Sequence, residues 1–180
     1  MIRKILLVIV LVFLITGIGF ASQDEIAFKN EPDGFRGLKW GDAPTEDMTF
    51  LHQVAENRYF NNGNYYYKWL LVEKLYIGSA KINHISYIFN LYSNQFYKVN
   101  LFFNGGVNFE ILKIICEGRH GKPTHEDKYF LRWIGDKARV SLYFNSKKKE
   151  GLFAIESTEI HSESPEDNKQ KEVEKAKEDF

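Results

Sequence analysis

Two histidines, His120 and His125, stand among three carboxylates in the most polar stretch of the chain, residues 117–127. Imidazole and carboxylate groups are ligands for divalent metals and partners in acid–base catalysis. The histidines are five residues apart, with Gly121 and Pro123 between them, so no helical face unites them. The alternative interpretation is a helix end followed by a solvated loop. We keep both histidines as ligand-binding candidates and predict no metal site.

The single cysteine, Cys116, is the only candidate nucleophile of its kind. We expect it on the buried side of a helix, where a thiol is usually inert. One cysteine permits neither an intramolecular disulfide nor a cysteine zinc cluster. The sequence also contains no phosphate-binding glycine loop and no nucleophile elbow. It therefore predicts no catalytic residue and no cofactor.

Aromatic side chains provide the remaining candidates for a binding site. Trp40 lies beside glycines, where a large ring usually anchors a core, although stacking on a ligand is the alternative. Tyr65, Tyr67 and Trp69 belong to an aromatic run. Strands favour such rings for packing alone, but the run could also form a carbohydrate or peptide platform. We retain all four as ligand-binding candidates.

A stretch from residue 96 to 134 must position the polar loop, and it reads strand, turn, helix, turn, strand. Period-2 alternation predicts a strand over 96–103, with Tyr97 on the same face as Leu101. Asn108 is the predicted N-cap of the helix, with Val107 and Leu112 as a hydrophobic staple. Gly121 is the predicted left-handed residue that ends it. Ile111 and Ile114 widen the apolar face, which predicts heavy burial.

Further strands are predicted on both sides of this stretch, at residues 50–54, 65–71, 85–91, 128–134, 140–144 and 152–157. Tight turns join several of them, as at 93–95 and 135–137, which favours antiparallel hairpins. No βαβ unit repeats. The predicted fold class is therefore α+β, a mostly antiparallel sheet packed against one main helix and preceded by an N-terminal signal helix.

The ends of the chain differ in character from its middle. Residues 1–21 combine two basic residues, an unbroken apolar run over 5–15 and a small-x-small site before residue 22. They predict a cleaved signal peptide, with an uncleaved membrane anchor as the alternative. Residues 22–33 are predicted to be a linker, residues 34–160 the α+β domain, and residues 161–180 a charged tail that is helical or disordered.

Composition limits the partners. The formal net charge is zero, so no electrostatic argument supports nucleic-acid binding. Aromatic residues make up 16% of the chain, which suffices for a core. The membrane is an expected partner only through residues 1–21, if they are retained.

Several short motifs occur in a fixed order: FRGLKWG at 35–41, ISYxF at 85–89, NFExL at 108–112, GKP at 121–123 and WxGD at 133–136. This order resembles a group of small secreted proteins of Gram-negative bacteria, over nearly the whole mature domain. The resemblance implies a periplasmic or extracellular location and the fold, but no activity. His120 stands where that group usually has a tyrosine.

These observations, together with the lack of a recognised catalytic set, favour an exported envelope protein that acts as a non-enzymatic protein- or peptide-binding module. One alternative is a small-ligand-binding protein or hydrolase that uses residues 117–127. Another is a structural protein anchored in the inner membrane.

Overall fold

The computed structural model describes residues 28–54, 63–68 and 73–160, and for 52–54 and 63–68 it describes the backbone only. These residues form twelve strands and one helix. The elements are β1 Gly34–Phe35, β2 Leu38–Lys39, β3 Met48–Val54, β4 Gly63–Lys68, β5 Tyr76–Ile77, β6 Ala80–Lys81, β7 His84–Phe89, β8 Phe96–Asn104, α1 Gly106–His120, β9 His125–Asp127, β10 Phe130–Ile134, β11 Ala138–Asn145 and β12 Glu150–Ser157.

Eight strands form one sheet in the order β3-β4-β7-β8-β12-β11-β10-β9, and every neighbouring pair is antiparallel. Two small hairpins, β1–β2 and β5–β6, lie outside it. The chain leaves the sheet after β8, forms α1, and returns so that β12 pairs with β8. The prediction of a mostly antiparallel α+β fold with one main helix is confirmed for the described residues. The predicted signal helix lies outside them.

Helix α1 covers one face of the sheet. Phe109, Leu112 and Cys116 are buried on its inner side and join a core that includes Leu101 and Trp133. Buried inward residues alternate with more exposed outward ones along β11, as expected when one face of an antiparallel sheet meets a core. Strand β7 is instead buried on both faces from Ile85 to Phe89. Burial of these large side chains is the main stabilising contribution to the fold.

The start of α1 differs from the prediction. Gly105, with φ 83°, is the N-cap, and the helix begins at Gly106. A glycine adopts this positive φ without steric cost, so the chain turns out of β8 earlier than Asn108. The Asn108 side chain instead accepts a hydrogen bond from the Lys81 N–H at 2.9 Å, and thereby ties the helix to β6.

Two apolar predictions for α1 are also wrong. Val107 is 75% exposed and makes no hydrophobic staple, because it lies inside the helix on its outer side. Ile114 is 67% exposed for the same reason. The predicted end of the helix at Gly121 is confirmed, and the Gly121 N–H donates to the carbonyl of Glu117 at 2.9 Å. Its φ of 82° is combined with a ψ of −161°, so Gly121 is not the left-handed helical residue that was predicted.

The alternation predicted for β8 breaks near its start. The register between β7 and β8 shifts at Ile88 and Phe89. As a result Phe96 faces the core, whereas Tyr97 packs with Ile88 on the opposite face. The prediction that Tyr97 shares a face with Leu101 is therefore wrong, because a bulge adds one residue to β8 at this point.

Residues 28–33, which the sequence analysis placed in a linker, pack on the domain. The Lys29 N–H donates to the carbonyl of His120 at 3.0 Å, and Asn30 Nδ2 donates to the carbonyl of Arg119 at 2.8 Å. These bonds satisfy two carbonyls at the end of α1 that have no partner within the helix. The ordered part of the chain thus includes Phe28. Residues 22–27, and the predicted signal segment and charged tail, lie outside the described residues.

Within the described ranges, the structure contains no helix with the length and apolar character needed to cross a membrane.

Candidate functional site

The face of the sheet opposite α1, which we call the open face, is the first candidate. Ile160 packs on a small buried cluster of Ile88 and Tyr97 at one end of this face. Pairing registers place its members side by side on four neighbouring strands. They are Lys98, Asn100 and Phe102 on β8, Leu152, Ala154 and Glu156 on β12, Arg139, Ser141 and Tyr143 on β11, and Phe130 and Arg132 on β10.

A cavity of about 380 Å³ lies over the middle of the open face. Its charged lining residues are Lys98, Arg132, Arg139 and Glu156. Its remaining walls combine aromatic and apolar side chains with small polar ones, namely Tyr97, Phe130, Ser141, Tyr143, Leu152, Ala154, Ser157, Thr158 and Ile160. The volume falls in the range of small-molecule and peptide side-chain pockets.

Glu156 is the one carboxylate in this lining, and two cations hold it. Its carboxylate oxygens lie 3.0 Å from Lys98 Nζ and 2.9 Å from Arg139 Nη1. Burial alone would raise the pKa of Glu156, but the charges and hydrogen bonds of Lys98 and Arg139 outweigh it and leave the pKa below its usual value. Glu156 is therefore ionised at neutral pH.

Arg132 has no ion-pair partner among the described residues. Its guanidinium carbon lies 4.8 Å from the centre of the Phe130 ring, a cation–π contact. The Nε atoms of Arg132 and Arg139 are both buried and have no hydrogen-bond partner in the described part of the chain. Three cations against one carboxylate leave the cavity lining with a positive net charge.

A second cavity, of about 330 Å³, lies on the other side of the sheet between α1, β12 and the β1 segment. Cys116 and His120 line it together with apolar residues such as Ile115 and Phe153. Burial raises the pKa of the Cys116 thiol to about 12, so the thiol is protonated at neutral pH. A protonated thiol is a poor nucleophile and a poor metal ligand.

His120 is buried at the end of α1, at 4% exposure. Its Nδ1 lies 3.2 Å from the Lys29 carbonyl oxygen, and its ring meets Phe28 edge-on at 5.1 Å. Burial lowers the pKa of His120, and the nearby Arg119 charge lowers it further, while the contact with the Lys29 carbonyl acts in the opposite direction. The ring is thus held neutral in a packed position next to the second cavity.

His125 lies on β9, at the edge of the sheet, and is exposed. Its Nε2 is 3.0 Å from Asp127 Oδ2, and its ring lies 5.6 Å from that of Phe130. The register pairs it with Arg132. The two histidines of the polar stretch therefore belong to different places: His120 to the second cavity and His125 to the rim of the open face.

The aromatic candidates are only partly described. Trp40 stacks on Phe96 with ring centres 5.0 Å apart, and its Nε1 donates to the Pro32 carbonyl at 2.8 Å. This is the packing position that the sequence analysis favoured. Tyr65 and Tyr67 lie in β4, of which the structure describes the backbone only. Trp69 lies outside the described residues.

Sequence reasoning did not identify the four charged residues of the cavity. A signal was present for Arg139, because its position alternates with the apolar residues of β11 and must face outward. The predicted turn over 135–137 would also have placed Arg132 opposite Ser141 on the same face. Lys98 and Glu156 could not be joined in this way, because their contact depends on the pairing of β8 with β12.

No metal centre can be built from the described residues, since they bring no group of three histidine, cysteine, aspartate or glutamate side chains together.

Comparison with models of protein families, with curated protein sequences and with solved structures finds no match for this chain.

Proposed function

We propose that this chain is an exported, non-enzymatic protein of the bacterial cell envelope that binds an extended segment of a partner protein or peptide on the open face. The observation that carries the proposal is the cavity of about 380 Å³ on that face. Export rests on the signal-like pattern of residues 1–21 and on the resemblance to secreted proteins.

The side chains of the open face support binding. The solvated face of an antiparallel sheet usually carries polar residues at its outward positions. Here Phe102 is 37% exposed and Tyr143 is 45% exposed, and the partly buried Phe130 and Leu152 lie between or beside them. Aromatic residues and arginine are enriched at the centres of protein interfaces, and this face carries both. An extended segment would run along such a surface and place alternate side chains in the cavity.

Crosslinked co-purification from native envelopes, with a tag after Phe180, tests the proposal. We expect one partner in near-equal amount with the wild-type chain, and its loss from Tyr143→Ser. Ile114→Ser is the matched control, because Ile114 is also an exposed apolar residue but lies on α1, on the other side of the sheet. Equal recovery from both variants, or the absence of any stoichiometric partner, would contradict the proposed surface.

The intact mass of the recovered chain addresses export at the same time. A chain that begins at Ser22 is expected if residues 1–21 are a cleaved signal peptide. A chain that still carries residues 1–21 would instead support the alternative of a protein anchored in the inner membrane.

A second candidate function is small-ligand binding near residues 117–127, and the observation that favours it is the position of His120 in the wall of the second cavity. The walls of that cavity are mainly apolar, so the ligand would be a small apolar molecule. This function predicts that His120→Ala changes ligand affinity in calorimetric titrations, while His125→Ala, on the other side of the sheet, does not. Unchanged titrations for His120→Ala would remove this candidate. A hydrolase remains the less supported version, because Cys116 is protonated.

A further inference from the structure

The cavity on the open face is lined by three cationic side chains and one carboxylate, which favours an anionic ligand. Lys98 and Arg139 share the carboxylate of Glu156. Arg132 has no carboxylate partner among the described residues. On the neighbouring strand β9, Asp127 Oδ2 lies 3.0 Å from Nε2 of His125. The lining therefore has one guanidinium whose charge is not matched.

The sheet register brings the two arginines to one place. Arg132 pairs with Ser141, and Arg139 lies two residues from Ser141 on the same strand. Such diagonal neighbours are separated by about 7–8 Å between their backbones, which long side chains span. Their guanidinium groups can therefore approach a single anion from two sides, as arginines do when they bind a carboxylate.

Buried polar atoms without partners add a second, independent observation. In native proteins nearly all buried polar groups are hydrogen-bonded. Within the described residues the exceptions are Asn100 Oδ1, Arg132 Nε and Arg139 Nε, and all three residues belong to the open face. The two Nε atoms are covered by protein, so an anion would bind at the outer nitrogens of each guanidinium. Its charge would compensate for the buried N–H groups that lack an acceptor.

The walls of the cavity restrict the anion further. Phe130, Tyr143 and Leu152 border the cationic groups and offer apolar contact on the same side as the guanidinium groups. A fully hydrated inorganic anion would gain nothing from these walls. A carboxylate carried on a peptide, with an apolar or aromatic neighbour in the chain, would use both.

We infer that the cavity is a carboxylate-binding site, and that Arg132 and Arg139 receive an acidic side chain of the bound peptide between the rings of Phe130 and Tyr143. This inference rests on the proposed function and names the chemistry of its ligand. It assigns to Arg132 the main contact, because its guanidinium is the one without a carboxylate partner. Glu156 has a different task, which is to hold Arg139 and Lys98 in place.

Calorimetric titration of the full chain with two synthetic peptides tests this inference. One is a capped hexapeptide in which glutamate and tyrosine alternate, and the other has glutamine in place of glutamate. We expect the glutamate peptide to bind at least tenfold more tightly, with an affinity that falls as salt concentration rises. Equal affinity for both peptides, or no binding of either, would overturn the inference.

Three variants locate the effect. Arg132→Gln is expected to weaken binding of the glutamate peptide at least tenfold, and Arg132→Lys to an intermediate degree, because lysine keeps the charge but loses the planar fork. Arg119→Gln removes the same charge on the other side of the sheet and should leave the affinity unchanged. If Arg119→Gln weakens binding as much as Arg132→Gln, the attraction is general and the site is wrong. An unfolding midpoint measured for each variant separates lost binding from lost folding.

A titration with succinate distinguishes a peptide from a free carboxylate. We expect succinate to bind far more weakly than the glutamate peptide, because it does not reach the rings. Succinate affinity equal to that of the peptide would overturn the assignment of a peptide ligand. If the peptides fail while partner recovery still depends on Tyr143, the carboxylate site is refuted and the proposed function stands. If the peptides do not bind and partner recovery does not depend on Tyr143, both the carboxylate site and the proposed function are refuted.

Discussion

Removal of the Glu31 carboxylate should destabilise the domain, because this side chain holds the turn between β10 and β11. Its oxygens accept hydrogen bonds from the backbone N–H groups of Asp136 at 3.2 Å, Lys137 at 2.7 Å and Ala138 at 3.0 Å. The bond to Ala138 is partly buried, and at the lower end of the range for a charged acceptor it contributes about 1.5 kcal/mol. The other two are exposed to water and contribute about 0.5 kcal/mol each.

Glu31→Ala is therefore expected to lower the free energy of unfolding by about 2.5 kcal/mol. At a urea slope near 2 kcal/mol per molar, this loss moves the unfolding midpoint down by roughly 1 M. Glu31→Gln keeps a neutral acceptor and should cost about half as much. Urea titration followed by tryptophan fluorescence measures both, since the buried Trp133 reports on the core near this turn.

A substitution at Gly135 should also remove the hydrogen bonds of Glu31, because it displaces the carboxylate. A Cβ built on Gly135 would overlap the Glu31 carboxylate, whose flexible side chain can move away. Gly135→Ala thus displaces the carboxylate at little steric cost and loses most of its hydrogen bonds. Alanine also reduces the conformational entropy of the unfolded chain, which stabilises the fold by about 0.5 kcal/mol. We therefore expect a net loss of about 2 kcal/mol in the free energy of unfolding.

The double variant decides whether this reasoning is correct. Once Glu31 is alanine, Gly135→Ala has nothing to displace and should be neutral or stabilising by about 0.5 kcal/mol. The two substitutions would then show a coupling of about 2–2.5 kcal/mol in a double-mutant cycle. Additive effects, within about 0.5 kcal/mol, would refute the claim that Glu31 holds the turn.

Three further predictions concern buried groups. His120→Gln should make the stability of the domain less sensitive to acid. The folded-state pKa of His120 is below 6.5, so the wild type loses stability as pH falls below 6.5. Unfolding curves at pH 7 and pH 5 should therefore show a smaller loss of stability for the variant than for the wild type. Glu156→Gln should lower the free energy of unfolding more at pH 7 than at pH 3.5. Because the pKa of Glu156 is lowered on folding, its ionised form stabilises the domain above pH 4.5, and this stabilisation is lost as pH falls through the folded-state pKa. The same loss of unfolding free energy at both pH values would contradict this prediction. Gly151→Ala should cost about 3 kcal/mol in urea unfolding, since its Cβ would overlap the fully buried Phe103 ring, which has no room to move; a neutral effect would show that the ring can shift.

Strong periodicity and turn residues explain most of the fold that the sequence predicted. β7, β10, β11 and β12 follow from alternation, and the turn over 135–137 is confirmed by a hydrogen bond from the Gly135 N–H to the Ala138 carbonyl at 3.0 Å. β9 was not predicted, because its three residues are polar and exposed and their strand conformation depends on pairing with β10. The two-residue strands of the small hairpins are too short to show any period.

The start of α1 shows how backbone freedom can override a local signal. Asn108 has the side chain of a good cap, yet the glycine pair before it allows an earlier start. Once the helix begins at Gly106, Val107 lies within its first turn and on its outer side, and it no longer precedes the cap. The errors in the cap and at Val107 thus share one physical cause, whereas Ile114 points away from the core because it lies two residues from both Leu112 and Cys116 on the same helix.

The motifs that carry the resemblance have structural roles. Tyr87 donates a hydrogen bond to Glu73 at 2.9 Å, and Arg36 pairs with the same carboxylate. Trp133 Nε1 donates to the Gly121 carbonyl at 2.8 Å and so joins two of the motifs at the end of α1. These contacts all lie on the helix side of the sheet or at its turns. In this chain these motif residues therefore join separate segments of the fold.

The residues of the carboxylate-binding site lie outside those motifs. Lys98, Arg132, Arg139 and Glu156 alternate with core residues along their strands, so each can change without altering the inward face. Inward residues thus supply most of the core, whereas the proposed binding depends on outward residues. Substitution of the exposed Tyr143 should therefore change affinity at nearly constant stability, whereas substitution of Glu156 also removes two ion pairs and costs stability. A change at the buried Trp133 should unfold the domain and abolish binding as well.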